Sequence, residues 1–208
     1  MEKLILIGAG GHSKSVADSI DSEKYFLCGF VDENKTGTHM GKPIFGSRIE
    51  DVEDYRSYRY FVSIGDIYAR EQWYKQILAL GLGTVNIIDS TALISQSAVL
   101  GTGNFVGKLA IINADAQVGD NNVINTKALI EHECTVGNHA HISTNATING
   151  NVIVEDGAFL GSGSTVIGQK CVGRYAVVGA GSTVIRDVPE KSTVVGVPAR
   201  VIKRGTDE

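Results

Sequence analysis

Proline, cysteine and basic charge are scarce in this chain of 208 residues, which has three prolines, three cysteines and a formal net charge of −4. That charge disfavours nucleic acid or an anionic membrane surface as a partner, because both require clustered Lys and Arg. No apolar run approaches the roughly 20 residues of a membrane-spanning helix, and the apolar start turns to glycine too soon for a signal peptide. An odd number of widely spaced cysteines argues against disulfides. We therefore expect a cytoplasmic protein that does not insert into a membrane.

Glycine is plentiful, with 25 residues, and the second half of the chain repeats every six residues. Each of sixteen consecutive sixth positions holds Ile, Leu or Val. These anchors are Ile94, Leu100, Val106, Ile112, Val118, Ile124, Ile130, Val136, Ile142, Ile148, Val154, Leu160, Val166, Val172, Val178 and Val184. Four residues after most anchors stands Ala, Ser or Cys, and directly after many of them stands Gly or Asn.

A period of six suits short strands joined by corners, since it is a multiple of the two-residue period of a strand but not of the 3.6-residue helical turn. The anchors point inward and the small residues fill the corners, where Gly and Asn are expected to supply left-handed backbone conformations. Three repeats per turn give a triangular prism of about five turns. A β-sandwich would instead show turn signals every 8–12 residues.

Residues 1–87 lack this period. "KLILIGAGGHSKSVADSI" predicts a buried strand, a glycine turn and a helix, "YFLCGFVDE" and "YRYFVSIGD" predict two more strands, and "AREQWYKQILALG" predicts a second helix. Strands that alternate with helices indicate a parallel α/β sheet. We expect a Rossmann-like half domain at 1–87, followed by the prism and a tail at 88–208.

The glycine turn is a candidate phosphate site, because free amides and the helix dipole favour anions at a helix N-terminus. Asp32 ends the second strand about twenty residues later, where a ribose-binding acid would stand. Ser13 replaces the third glycine of the dinucleotide fingerprint, and the domain is too short for two mononucleotide halves. A nucleoside diphosphate that carries another group is therefore a better candidate than NAD.

The segment "ALIEHECTVGNHAHIS" holds three of the five histidines. A neutral imidazole at His132 could accept a proton near pH 7, and an adjacent carboxylate would favour the imidazolium that follows. His141 directly precedes an inward anchor, so its side chain is expected to point outward, towards a partner subunit. His139 is expected at the surface and Cys134 in a corner. A metal site of the three histidines lacks a carboxylate or cysteine of matching phase, so no metal is expected.

In combination, "IGAGGH", the hexapeptide repeat, "EHEC" and "GVPAR" resemble the NeuD/PglD-type sugar O- and N-acetyltransferases of the left-handed β-helix superfamily, and the likeness spans essentially the whole chain. The resemblance implies left-handed coiling, a homotrimer, acetyl-CoA as cosubstrate and a nucleotide-sugar substrate. It implies that His132 is the general base and that Glu133 raises its basicity, with Glu131 as an alternative.

The resemblance also implies two sets of binding residues. For acetyl-CoA they are His141, Gly150, Ser162 and Ala180. For the nucleotide sugar they are Gly10, Gly11, His12, Asp32, Glu33 and Gly65.

The leading hypothesis is transfer of acetyl from acetyl-CoA to the amine of a nucleotide-linked amino sugar, of the UDP-4-amino-sugar type, in bacterial surface glycan biosynthesis. O-acetylation of sialic acid is the alternative within the same chemistry, since a hydroxyl needs the same base. An alternative of another class is a scaffold or regulator of glycan biosynthesis without catalysis.

Overall fold

The computed structural model describes residues 1–204. Its amino-terminal part is a small α/β unit with two short 3₁₀ turns at Ile49–Asp51 and Tyr55–Ser57. The helices and strands of this unit are β1 (Glu2–Ile7), α1 (Gly11–Asp18), β2 (Tyr25–Val31), β3 (Thr38–His39), β4 (Lys42–Pro43), β5 (Arg59–Val62) and α2 (Ile67–Ala79).

The three long strands form a parallel sheet in the order β2-β1-β5, as expected for alternating strands and helices. β1 is central and its last four residues are fully buried, which fits a strand covered on both faces. Trp73 and Ile77 of α2 pack on one side of the sheet, and Val16 of α1 packs on the other. The short strands β3 and β4 form a separate antiparallel hairpin.

The rest of the chain is a coil of short strands, nearly all two residues long. They are β6 (Ile87–Ile88), β7 (Leu93–Ile94), β8 (Val99–Leu100), β9 (Phe105–Val106), β10 (Ile111–Ile112), β11 (Gln117–Val118), β12 (Val123–Ile124), β13 (Leu129–Ile130), β14 (Thr135–Val136), β15 (His141–Ile142), β16 (Thr147–Ile148), β17 (Ile153–Val154), β18 (Phe159–Leu160), β19 (Thr165–Val166), β20 (Cys171–Val172), β21 (Val177–Val178), β22 (Thr183–Val184), β23 (Thr193–Val195) and β24 (Arg200–Lys203).

Each strand pairs in parallel with the strand one turn away, 18 residues along the chain, so that Ile112 stacks on Ile94 and Ile130 on Ile112. The three stacks form three faces. Face 1 runs from β6 through β9, β12, β15, β18 and β21 to β23 and β24, face 2 from β7 to β22, and face 3 from β8 to β20. The chain visits them in the order 1, 2, 3, and the prism is a left-handed parallel β-helix of about six turns. This confirms the predicted fold class.

The prism is longer than the unbroken period indicates. Ile87 and Ile88 already pair with Phe105 and Val106 at one end. At the other end Val194 stacks on Val178, sixteen residues along the chain instead of eighteen. The last turn is therefore two residues shorter than the others. The six-residue repeat is out of phase in this turn, although the strands still stack.

The interior of the prism matches the prediction. The anchors from Val106 onward are buried, and the small residues of the corners, including Cys134, are buried between them. Ile94 and Leu100 are only partly buried because they belong to the first turn, which has a neighbouring turn on one side only.

The expected role of the glycines that follow the anchors is wrong. The left-handed residues stand two positions further on and are mostly not glycine, as with Glu133 (φ 57°) and His139 (φ 59°). Glycine follows the anchors because neighbouring turns approach closely there. A Cβ on Gly161 would lie 2.6 Å from the nitrogen of Ala180, and one on Gly119 would lie 2.8 Å from the oxygen of Gly137.

A ladder of asparagines follows the edge between faces 3 and 1. Asn104 accepts from the Asn122 N–H at 2.8 Å and donates to the Gly119 carbonyl at 2.8 Å, and Asn122 repeats both contacts one turn later. Because both side chains are fully buried, these bonds satisfy backbone groups that water cannot reach. The sequence carries the signal, since Asn86, Asn104 and Asn122 stand 18 residues apart.

Face 1 joins the prism to the α/β unit. Phe105 and Val123 of this face share a buried cluster with Leu6 and Phe61 of the sheet and Val16 of α1. A charged seam continues the contact, because Lys108 of the prism pairs with Asp18 of α1 at 3.0 Å and with the buried Asp89 at 3.1 Å. The sheet thus lies against one face of the prism and leaves the opposite edge clear.

Candidate active site

The six residues predicted to bind a nucleotide sugar line one cavity. Its volume is about 270 Å³, and it lies where β1, β2 and β5 end and α1 begins. The six are Gly10, Gly11, His12, Asp32, Glu33 and Gly65. The carboxyl ends of parallel strands are the usual ligand-binding edge of an open α/β sheet.

Close backbone packing shapes the turn in this cavity. Gly8 has a φ of +95°, and a Cβ there would lie 2.5 Å from Ile64 Cγ1, so glycine is required for both reasons. Asp32 Oδ2 accepts a hydrogen bond from the Ala9 N–H at 2.7 Å, which fixes the turn to the end of β2. Asp32 therefore shapes the turn as well as facing the cavity.

Ser13 explains the departure from the dinucleotide fingerprint. Its side chain is fully buried, and its Oγ donates to the Gly10 carbonyl at 2.7 Å and contacts His39 Nε2 at 2.9 Å. A third glycine would remove this internal bond. The serine thus holds the first turn of α1 and draws the β3–β4 hairpin towards it.

Other residues of the cavity carried no sequence signal for binding. Ser63 and Ile64 follow β5, and Ala69 and Trp73 lie on α2. The hydrophobic spacing of α2 suits a core helix equally well, so the sequence does not indicate which of its side chains border the cavity.

His141 is outward on face 1, as its position before an anchor predicts, and the outward side chain faces the α/β unit of its own chain. The α/β unit of the same chain covers it, leaving 8% of the residue exposed. Its Nδ1 lies 3.3 Å from the Gly65 carbonyl, and its ring centroid lies 6.5 Å from that of His12. The fold thus brings His141, predicted at acetyl-CoA, beside two residues predicted at the nucleotide sugar.

Burial keeps His12 and His141 uncharged. Burial, together with the nearby guanidinium of Arg70, lowers the pKa of His141 to about 3 and that of His12 to about 4. The Nε2 atoms of both rings are buried without a hydrogen-bond partner within residues 1–204. One neutral imidazole, that of His12, therefore borders the cavity, and the second, that of His141, is buried beside it.

His139, predicted at the surface, is only partly exposed. Asn121 Nδ2 donates to its Nδ1 at 2.8 Å, and its ring packs edge-on against Tyr74 of α2 with centroids 5.7 Å apart. Partial burial lowers the pKa of His139. The cover of α2 accounts for the difference, because it does not follow from the place of His139 in the repeat.

His132 lies on the edge between faces 2 and 3. Its side chain is 59% exposed, and its Nδ1 is 3.0 Å from Glu133 Oε2. Glu131 Oε2 lies only near the backbone N–H of His132, at 3.3 Å. Of the two neighbouring glutamates, Glu133 therefore contacts the ring, and its left-handed backbone turns its side chain to the same side.

Gly150 lies one turn beyond His132 on the same edge, and the imidazole packs onto it. A Cβ on Gly150 would lie 2.6 Å from both Cε1 and Nε2 of the ring. Within residues 1–204 no acceptor is hydrogen-bonded to the Gly150 N–H, whereas its carbonyl accepts from Gln169. The edge thus presents an imidazole and a free amide side by side.

Ser162 and Ala180 follow a different edge, between faces 1 and 2. Both are exposed, they stand one turn apart, and the Gly181 N–H donates to the Ser162 carbonyl at 2.9 Å. They form a surface column on the side of the prism that also carries His141.

A single chain does not bring all of these residues together. In a triangular section the edge between faces 2 and 3 is opposite face 1, which is where the α/β unit and its cavity lie. His132, Glu133 and Gly150 are therefore across the prism from His12, Gly65 and His141.

Residues 1–204 contain neither a membrane-spanning helix nor a cluster of metal-ligating side chains. No helix there is long and apolar enough to cross a membrane. No group of three or more His, Cys, Asp or Glu side chains in that range is arranged to hold a metal ion.

Comparisons with known proteins agree with this architecture. Residues 3–77 match the model of the PglD N-terminal domain family. The acetyltransferase domain of PglB from Neisseria gonorrhoeae is 31% identical, with a TM-score of 0.92, 97% of this chain covered and 100% of that chain. PerB from Caulobacter crescentus, in a structure with CoA and GDP-perosamine, is 32% identical, with a TM-score of 0.91 and 98% of each chain covered.

A curated relative, the uncharacterized protein L142 of Acanthamoeba polyphaga mimivirus, is 36% identical over 99 residues. The match covers 46% of this chain and 19% of that protein, so the chain aligns with about a fifth of the relative's length. Together, the fold, the family match and the likeness to PglB and PerB show that the chain belongs to the sugar acetyltransferases of the left-handed β-helix superfamily.

The two buried histidines predict a specific acid sensitivity. Their folded-state pKa values lie below the unfolded value of about 6.5, so the unfolded chain binds more protons as the pH falls from 6.5 towards 4. The free energy of unfolding should therefore decrease, by about 1.4 kcal/mol per pH unit for each histidine once the pH is well below 6.5. Urea unfolding at a series of pH values measures this slope.

The double variant His12→Gln/His141→Gln should show a shallower slope than the parent protein. His132→Gln is the matched control, because it removes a histidine whose side chain is 59% exposed instead of buried. Equal slopes in all three proteins would contradict the assignment.

Gly150→Ala should displace the imidazole of His132, because the added methyl group has no room beside the ring. If His132 is the base, we expect kcat for acetyl transfer to fall about 100-fold, as for other misplacements of a reacting group by about 1 Å. Gly83→Ala is the control, since its Cβ would likewise meet the end of a side chain, that of Arg59, but far from His132. Full activity in a folded Gly150→Ala protein would contradict this role.

Proposed function

We propose that the protein transfers the acetyl group of acetyl-CoA to the amino group of a nucleotide-linked amino sugar, with His132 as general base. The observation that carries the proposal is the exposed His132–Glu133 pair, with its 3.0 Å contact, on an edge where neither side chain fills the core or supports a turn. PerB, similar over nearly the whole chain, is a perosamine N-acetyltransferase with CoA and GDP-perosamine in its structure.

In this proposal Nδ1–H of His132 donates to Glu133, so that Nε2 carries the lone pair. Nε2 takes a proton from the amine as its nitrogen attacks the thioester carbonyl. The carboxylate of Glu133 stabilises the imidazolium that results. No acyl-enzyme is formed, and Cys134 takes no part because it is buried in the core.

The backbone amide of Gly150 is the second catalytic group in this proposal. Negative charge develops on the thioester oxygen as the C–N bond forms, and a free backbone N–H beside the base stabilises it. The intermediate collapses with cleavage of the C–S bond, and the proton on His132 passes to the departing sulfur. The products are the sugar acetamide and CoA.

The nucleotide is proposed to bind in the cavity at the start of α1, where Gly10 and Gly11 carry no side chain that would block a diphosphate. A Cβ at either position would meet no atom within 4 Å, so the turn is open towards the cavity. Glu33 and Asp32 at the end of β2 lie where the ribose or base would reach, and His12 and Gly65 border the path to the sugar. Ser162 and Ala180 are proposed contacts of CoA further along the prism.

A complete centre in this proposal needs two copies of the chain, because His132 lies across the prism from the cavity. A homotrimer in which the 2–3 edge of one copy faces the cavity of the next would join the two halves. Closed cyclic symmetry gives every copy the same neighbour and every centre the same two halves.

The activity itself is tested with acetyl-CoA and a panel of acceptors, read by mass spectrometry. The panel contains UDP- and GDP-linked amino sugars, with sialic acid and the same nucleotide sugars without an amine as controls. We expect acetylation of an amino sugar by the parent protein and a loss of at least about 100-fold for His132→Ala. Acetylation of sialic acid alone would replace the proposed acceptor, and no transfer to any acceptor would contradict the enzyme proposal.

Subunit mixing tests the shared centre. A Cβ at Gly11 would meet no atom within 4 Å, so we expect Gly11→Tyr to fill the cavity, whereas His132→Ala removes the base. Each variant alone should be inactive. In random mixed trimers about a quarter of the centres would pair an intact base with an intact cavity, so co-expression should restore activity. No recovery in trimers that do mix would place both halves in one chain.

A further inference from the structure

Arg70 is the most deeply buried charged side chain among residues 1–204, with 1% of its surface exposed. It lies in the first turn of α2, after the N-cap Asp66, whose carboxylate accepts from the Ala69 N–H at 2.9 Å. Burial lowers the pKa of Arg70 to about 10, which still leaves the guanidinium charged at pH 7. An unpaired buried charge is costly, so this guanidinium needs compensating acceptors.

Five backbone carbonyls supply that compensation, and they belong to three separate segments. Nη1 donates to Ile64 at 3.3 Å and Gly65 at 3.1 Å, which form the rim of the cavity. Nη2 donates to His139 at 2.8 Å and Ala140 at 3.3 Å, and Nε donates to Asn121 at 3.1 Å, all in the prism. The planar fork therefore joins the cavity rim to the prism segment that leads directly into His141.

The Gly65 carbonyl has a second donor. His141 Nδ1 lies 3.3 Å from it, so this nitrogen carries the proton of the neutral ring and Nε2 keeps its lone pair. Arg70 thus fixes the acceptor that determines the tautomer of His141, and it also fixes the backbone from which His141 projects.

We infer that Arg70 is a positioning residue for acetyl transfer, which holds the nucleotide-sugar cavity in register with His141 and sets the hydrogen-bonded state of that imidazole. The inference rests on the proposed function. Arg70 contacts neither the cavity nor the 2–3 edge itself, because its five donors all point to backbone oxygens. It acts through Gly65 and His141.

Lysine cannot replace this arrangement. Its ammonium is a point charge with three donors, whereas the guanidinium reaches in three directions at fixed angles. Arg70→Lys keeps the charge but releases the rim from the prism, so acceptor and acetyl group should meet in the wrong geometry. Since no direct contact with either substrate is lost, we expect kcat to fall 10- to 100-fold while both KM values change less than about threefold.

The test compares the parent protein with Arg70→Lys and with Arg56→Lys. The last is the matched control, since Arg56 is an exposed arginine of the α/β unit that donates to the Leu80 carbonyl outside the cavity. Steady-state kinetics give the kcat and KM values. The ¹⁵N shifts of the His141 ring, assigned by comparison with His141→Gln, report which nitrogen carries the proton.

We expect an Nδ1–H ring at His141 in the parent protein and in Arg56→Lys, and a mixture of tautomers in Arg70→Lys. A folded Arg70→Lys protein with unchanged kcat and an unchanged ring would overturn the inference. If that variant does not fold, the ¹⁵N shifts of His141 in the parent protein still test the inference. A ring protonated at Nε2 instead of Nδ1 would contradict the hydrogen bond to the Gly65 carbonyl. Absence of acetyl transfer in the parent would contradict the proposed function instead, and the tautomer measurement, which needs no turnover, would still report on Arg70.

Discussion

The structure depends on one constraint, which is that successive turns of the prism are each 18 residues long and hydrogen-bond in register. Because no residue is inserted between Ile94 and Val184, every position lies directly over the position one turn away. This register puts the ring of His132 over Gly150 and stacks the buried asparagines into a continuous ladder. One inserted residue would shift every later side chain by one position and separate such pairs.

The same register has a consequence for chemistry. Two-residue strands leave little freedom between corners, so a side chain on an edge is held by a rigid scaffold although it is exposed to solvent. His132 needs no dense packing to be oriented, since a glycine below it and a carboxylate beside it suffice. The α/β unit serves the opposite purpose, because it buries His12 and His141 and keeps both rings neutral.

The prism could be predicted from the sequence because every strand follows the same pattern. The inward position holds Ile, Leu or Val, and the outward position is not restricted to one residue type. The glycine turn likewise indicated the cavity, and all six residues expected there border it. The handedness of the coil came only from family resemblance. Corner conformations were misjudged because glycine serves either positive φ or close approach, and a single sequence does not separate the two causes.

Contacts between residues far apart in the sequence account for the other differences between the predictions and the structure. His141 and His139 looked exposed because their positions in the repeat are outward, but the repeat carries no information about which face another domain covers. Arg70 reads as one more surface charge on a helix, and its burial follows from how α2 lies against the prism. The missing pair of residues before Val194 hides the final turn from any search by fixed period.

The antiparallel strand β24 lies at the end of the prism, where it affects whether another copy of the chain can add to the last turn. A stack of parallel rungs has no natural stop, and a bare last rung is a template on which another copy could continue the coil into a fibre. β24 returns against β23 with the opposite polarity and a shifted register, so the rung it offers does not match a parallel one.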